Sequence, residues 1–149
     1  IEPCMARQHF LFHTQHDLLC FCHLYPHWSA RLGNNVFTAL GLTPSTDQLQ
    51  DLMKRFPNAR FVGVFDNDIL GNALDCKILL WQRSKDIQFT LFQDHILFSY
   101  SGEEYKVPIA RFSVNSFKTL TGIRSTYRTI KPKKYISFIS MLSHAIPEL

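Results

Sequence analysis

Asp66, Asp68 and Gly71 carry the chain's most suggestive spacing, Asp-x-Asp-x-x-Gly, at the end of the apolar run Phe61 to Phe65. Two carboxylates at a strand end offer the hard oxygen ligands of Mg²⁺, which typically takes one or two carboxylates beside water and phosphate. Both reach one ion only if the chain turns there, and Asp-Asn-Asp before Gly71 permits such a turn. Asp68 has a second use, as the N-cap of a helix beginning near Gly71, where the helix dipole favours a carboxylate.

Five of the seven histidines lie between His9 and His27. If residues 16–24 are helical, His16, Cys20 and His23 share one face at a spacing that offers Zn²⁺ three ligands. "CFCH" lacks the usual C-x-x-C arrangement, however, and Cys20 reads equally well as a small buried hydrophobe. No G-x-S-x-G elbow, Walker loop or G-x-G-x-x-G occurs, which argues against a serine-hydrolase nucleophile and a glycine-rich nucleotide cradle.

The 149 residues suit a single domain able to bury a core, and 46% hydrophobic content with 13 Phe argues against disorder. No window of the length needed for a membrane-spanning helix is apolar throughout, so no membrane partner is expected. The four cysteines lack the spacing of a disulfide framework, which favours a reducing, cytoplasmic setting. The chain begins at Ile1 rather than Met, so additional domains outside it are compatible with the sequence. The net charge of +4 is unevenly spread: Tyr105 to Pro147 holds eight Lys and Arg with no Asp or Glu, leaving −4 on the rest.

That basic third suits a polyanionic partner. In "FKTLTGIRSTYRTIKPKKY", Arg124, Arg128, Lys131, Lys133 and Lys134 are the candidate nucleic-acid contacts. Phe117, Tyr127 and Tyr135 lie among these cations, either to stack on unpaired bases or as core residues of a β-rich segment.

The elements that must position these residues alternate. A strand over His9–Gln15 precedes a helix over Asp17–Leu24, and a strand over Asn35–Leu40 precedes a helix over Gln48–Phe56. A third strand, Ala59–Phe65, precedes a helix over Gly71–Arg83. This order predicts an α/β fold, a small parallel sheet flanked by helices. Ligands of such sheets sit beyond the carboxyl ends of the strands, where His13, Gly41 and Asp66 would gather. Beyond Lys85, "IQFTLF", "HILFSYS" and "YKVPIARFSV" read as antiparallel strands, with turns at Gln93-Asp94 and Gly102-Glu103. Residues 115–134 read as polar and basic, and "YISFISMLSHAI" as a closing helix or strand.

"VFTALG" with "LTPSTDQLQDLMKRFPNARFVGVFDNDILGNAL" resembles the middle of a Toprim domain, the Rossmann-like catalytic domain of bacterial primases, topoisomerases and related nucleases. The likeness spans about residues 9–83, and "FDNDxxG" is closest to the form in mobilisation proteins of mobile elements. It implies a Toprim-like core over 9–85 and a β-rich basic extension over 86–149, within one domain, and phosphoryl transfer at Asp66 and Asp68 with Mg²⁺. Asp17, Gly41 and Gly71 would be structural parts of the motif. Where that family has a glutamate at the end of its first strand, this chain has His13, and Thr14 holds the place of the glycine that follows.

The resemblance therefore implies a degenerate module of a primase-like or mobilisation protein. It would bind nucleic acid, DNA rather than RNA, with a residual Mg²⁺ site. A rival expectation is an active Mg²⁺-dependent nuclease or nucleotidyl transferase, with His13 as proton shuttle near pH 7. A third is a structural interaction domain that binds no nucleic acid.

Overall fold

The computed structural model describes residues 2–30 and 33–145. It is an α/β fold with two sheets. In the first, β1 (Gln8–Phe12) lies between β2 (Asn35–Ala39) and β3 (Arg60–Gly63), and β7 (Arg128–Thr129) completes the order β2-β1-β3-β7. All pairings in it are parallel, with Gln8 opposite both Asn35 and Arg60, and Val62 opposite Arg128.

Both faces of this sheet are covered, which is why β1 and β3 read as continuous apolar runs rather than as alternation. Phe10, Phe12, Val62 and Val64 point to one core, shared with Cys20 and Phe21 of α1 (Gln15–Leu24) and Phe138 of α6 (Phe138–Ala145). Leu11, Phe61 and Phe65 point to the other. There they meet Leu49 and Leu52 of α3 (Thr46–Arg55) and Cys76, Ile78, Leu79 and Leu80 of α4 (Ile69–Trp81). A short helix α2 (Pro26–Ser29) leads from α1 towards β2.

The second sheet is antiparallel, β4 (Thr90–Phe92), β5 (His95–Tyr100) and β6 (Glu103–Pro108) in that order. The β5–β6 turn lies at Ser101-Gly102, one residue earlier than expected; both have positive φ, +50° and +80°, as a tight hairpin turn requires. Ile96 and Phe98 enter the second core, and Phe98 packs against Phe117 of α5 (Val114–Thr121) at 5.2 Å between ring centroids.

The stretch 115–134, read as polar and basic with no element assigned to it, contains most of α5. Its helix is opened by Ser113, whose side chain accepts from the Ser116 N–H, and closed by left-handed Gly122 at φ +73°. "YISFISMLSHAI" supplies a helix rather than a strand. The boundary expected at residue 85 falls just beyond α4. Past it, β7 returns to the first sheet and α6 packs on α1, so residues from both sides build the same core. Among the described residues no helix is long and apolar enough to cross a membrane.

Candidate functional site

Parallel pairing brings three strand ends to one edge. Past the strands proper, Leu40 N–H donates to Phe12 O (2.7 Å), Gly41 N–H to His13 O (2.9 Å) and Val64 N–H to Leu11 O (2.8 Å). His13 and Gly41 are thus direct backbone neighbours, and Asp66 leaves β3 two residues after Val64. Gly41 has φ +88°, a left-handed conformation that suits glycine as the chain turns off β2. His13 is exposed at the tip of β1.

The two aspartates of Asp-x-Asp-x-x-Gly do different work. Asp68 is the N-cap of α4, its Oδ1 accepting from the Gly71 N–H at 2.8 Å. The helix therefore starts at Ile69, two residues before the expected position. Gly71 is required by close approach: a Cβ there would overlap the Asp66 carbonyl oxygen and lie 2.8 Å from its carbon. The motif is thus a compact strand-to-helix turn in which the Asp66 backbone lies over the first turn of α4. Further bonds hold that backbone, with Asn67 N–H donating to Ile136 O (2.7 Å) and Lys131 Nζ to Asp66 O (3.0 Å) and Phe65 O (3.3 Å).

Asp66 is the motif's uncommitted acid, half-buried and without a side-chain hydrogen bond among the described residues. Burial pushes its carboxyl above the ordinary range, and the charges of Asp17 and Asp68 push the same way; His13 and Lys131 oppose them. The negative neighbour not paired with Asp66 by sequence is Asp17. Its side chain is buried and fixed in a capping box, with Oδ2 accepting from Thr14 Oγ1 (2.7 Å) and Thr14 N–H (3.3 Å) while Thr14 Oγ1 accepts from Asp17 N–H (3.1 Å).

Among the described residues no group of three or more His, Cys, Asp or Glu side chains is placed to hold a metal ion. The crowding of Asp66 by two acids is repulsion that a cation would relieve. Asp66 is the carboxylate here that could contribute to a Mg²⁺ otherwise held by water and phosphate oxygens. For zinc, His16 and His23 are exposed, but Cys20 is buried with Phe10, Phe12 and Phe21, and burial raises its thiol pKa, favouring the neutral form.

The five candidate basic contacts do not form one patch. Lys131 turns inward: its ammonium lies 2.7 Å from Asp75 Oδ2, and Asp75 is fully buried on α4. Tyr127 Oη donates to Asp75 Oδ1 at 2.6 Å. Burial pushes Asp75 above the ordinary carboxyl range, against the pull of Lys131 and Tyr127. Gly63 leaves room for this group, since a Cβ there would come 2.5 Å from Asp75 Oδ1. Arg128 sits towards the opposite end of the sheet, beside Val62. Arg124 is exposed, its carbonyl accepting from the Arg83 guanidinium, while Lys133 and Lys134 are exposed beyond β7.

Phe117 and Tyr127 are core residues, which leaves half-buried Tyr135, beside His144, as the accessible aromatic of the three. Sequence reasoning passed over Asp75, although an acid one turn before Ile78 and Leu79 on an apolar helix was a visible signal. It also placed no weight on His9. That ring is fully buried, bonded through Nε2 to Thr38 Oγ1 (2.7 Å), and burial lowers its pKa to about 4. Set against protein-family models, curated proteins and solved structures, the chain matches none of them.

Proposed function

We propose that the chain is a Toprim-like nucleic-acid-binding module whose strand-end edge faces phosphates. Asp66 is the residue through which a weakly held Mg²⁺ enters. One observation carries this reading. Asp66 stands past the carboxyl end of β3, its carboxylate without a hydrogen bond among the described residues, close to the charges of Asp17 and Asp68 and beside the β1 tip that bears His13. Strand ends of parallel sheets are where such folds bind ligands, and a crowded carboxylate favours a cation that a phosphate can share. With Asp68 committed to its helix and His13 in place of an acid, the site is a reduced one. It suits phosphate contact better than a full phosphoryl-transfer centre.

The test is anisotropy of labelled single- and double-stranded DNA and RNA across a salt series. DNA binding that weakens steeply with salt is expected. Absence of binding to any of them favours an interaction domain and refutes the proposal.

The active-enzyme reading keeps one supporting observation, the exposed His13 imidazole whose charge acts on Asp66. An imidazole can take or give a proton near neutral pH. Mg²⁺-dependent nicking that is lost in both His13→Ala and Asp66→Asn would favour it over the reduced module.

A further inference from the structure

At the opposite edge, the amino ends of the strands enclose a cavity of about 620 Å³. Parallel partners and residues two apart share a face of a sheet. Gln8, Asn35, Arg60, Val62 and Arg128 therefore lie on the face that carries Phe10 and Phe12 further along. The row Asn35-Gln8-Arg60 is polar, and the next row, Phe37-Phe10-Val62, is apolar up to Arg128 at its end. Trp28 of α2 closes the apolar end, packed on Phe10 at 5.3 Å between centroids. Asn35 is already satisfied, its amide donating to Trp28 O at 2.9 Å, so it anchors α2 above the row.

Among the described residues three arginines line this cavity, Arg7, Arg60 and Arg128, and no Asp or Glu does. Among the described residues none of the three makes a salt bridge, and none donates a side-chain hydrogen bond. Arginines that line one hollow with no acid among them favour an anion there, and a guanidinium fork matches phosphate oxygens. An indole at the rim adds a flat face for an aromatic base. The volume lies within the roughly 300–1,000 Å³ of small-ligand sites.

We propose that this cavity binds a nucleotide unit, its phosphate held by Arg7, Arg60 and Arg128 and its base set against Trp28. The unit is either a free nucleotide or one residue of a single strand. The site goes beyond the strand-end reading and does not rest on it, because Asp66 lies at the other end of β3.

The test uses tryptophan fluorescence of the whole chain. Trp81 is buried and bonded to Asp86, so Trp28 supplies the ligand-sensitive signal. The probes are adenosine monophosphate, inorganic phosphate, oligothymidylate, an abasic oligonucleotide of equal length and a polyglutamate peptide. Adenosine monophosphate is expected to quench Trp28 and to bind more tightly than inorganic phosphate. Oligothymidylate tighter than the monophosphate assigns the site to a strand; the reverse assigns it to the free nucleotide, and both support the proposal. With one phosphate neutralised by the arginines, strand affinity should fall only about 2–3-fold between 50 and 200 mM salt. The exposed pair Arg60→Gln/Arg128→Gln should keep its circular dichroism and lose about 100-fold in affinity, tenfold for each charge-assisted contact.

Three results overturn the proposal. One is equal affinity for inorganic phosphate and the nucleotide, or for abasic and base-bearing strands. Another is polyglutamate bound as tightly as the nucleotide. The third is adenosine monophosphate binding that survives the double arginine change.

Discussion

Replacing Lys131 by Met should destabilise the fold severely, and in a pH-dependent way. Lys131 has only 21% of its side chain exposed and is the cationic partner of Asp75, which has none. Removing one member of a buried ion pair costs about 3–5 kcal/mol, because the other charge is left without compensation. The lost contacts to the Phe65 and Asp66 carbonyls add roughly 1 kcal/mol. Against a total stability of about 5–15 kcal/mol, the midpoint of thermal unfolding should fall by roughly 8–24 °C, at about 2–4 °C per kcal/mol for this chain length.

The pH dependence has a definite sign. Asp75's pKa is raised in the folded protein by burial, and removing Lys131 removes a charge that lowers it. The folded variant therefore holds a proton that the unfolded chain has released, so its stability falls as pH rises. The window opens near the unfolded carboxyl value of about 3.9 and runs upward to the raised folded value. Urea unfolding of both proteins at pH 7 and near pH 4.5 should show the gap between them shrinking in acid. Asp75→Asn added to Lys131→Met should restore much of the loss, because Tyr127 can still donate to the amide oxygen. A Lys131→Met protein within about 1 kcal/mol of wild type, or a loss that Asp75→Asn does not relieve, refutes the reasoning.

Other perturbations address the turn and the buried imidazole. Gly71→Ala forces a Cβ into the Asp66 carbonyl and should cost about 1–3 kcal/mol as overpacking does, read as a lower urea midpoint. Asp68→Ala removes the α4 cap and should cost about 1 kcal/mol, with the far-UV helix signal otherwise kept. His9, lowered from 6.5 to about 4, is neutral when folded while the unfolded chain takes up a proton below its ordinary value. Its contribution to stability is therefore present above pH 6.5 and lost as pH falls towards 4, about 3 kcal/mol at 1.36 kcal/mol per unit. NMR titration of the His9 ring should place its midpoint near 4, and the slope should vanish in His9→Leu.

The first half of the chain was legible because its signals were local and repeated. The apolar runs at β1 and β3, Ser45 before α3 and Gly41 after β2 each announce an element without help from distant residues. Asp68 was legible as either ligand or cap, and the hydrogen bond its Oδ1 accepts from the Gly71 N–H shows the cap. The second half resisted for the opposite reason. Strand β7 is two residues long and exists because β3 has a free edge. Helix α5 buries only Val114 and Phe117 and is opened by Ser113 and Ser116 rather than by a serine–glutamate pair. Charge runs were the least informative signal. Lys131 and Lys133 look alike in sequence, yet one is an internal tether and the other is exposed, because only the tertiary fold brings Asp75 beneath Lys131.

The strand-end site is tested most directly by oligonucleotide affinity with and without Mg²⁺, in wild type and Asp66→Asn. If Asp66 faces phosphate, Mg²⁺ should tighten wild-type binding. Asp66→Asn, which removes the repelling charge, should bind at least as tightly without the ion and gain little from it. Equal affinities and equal Mg²⁺ responses in the two proteins would contradict the placement of Asp66 at a phosphate-facing edge.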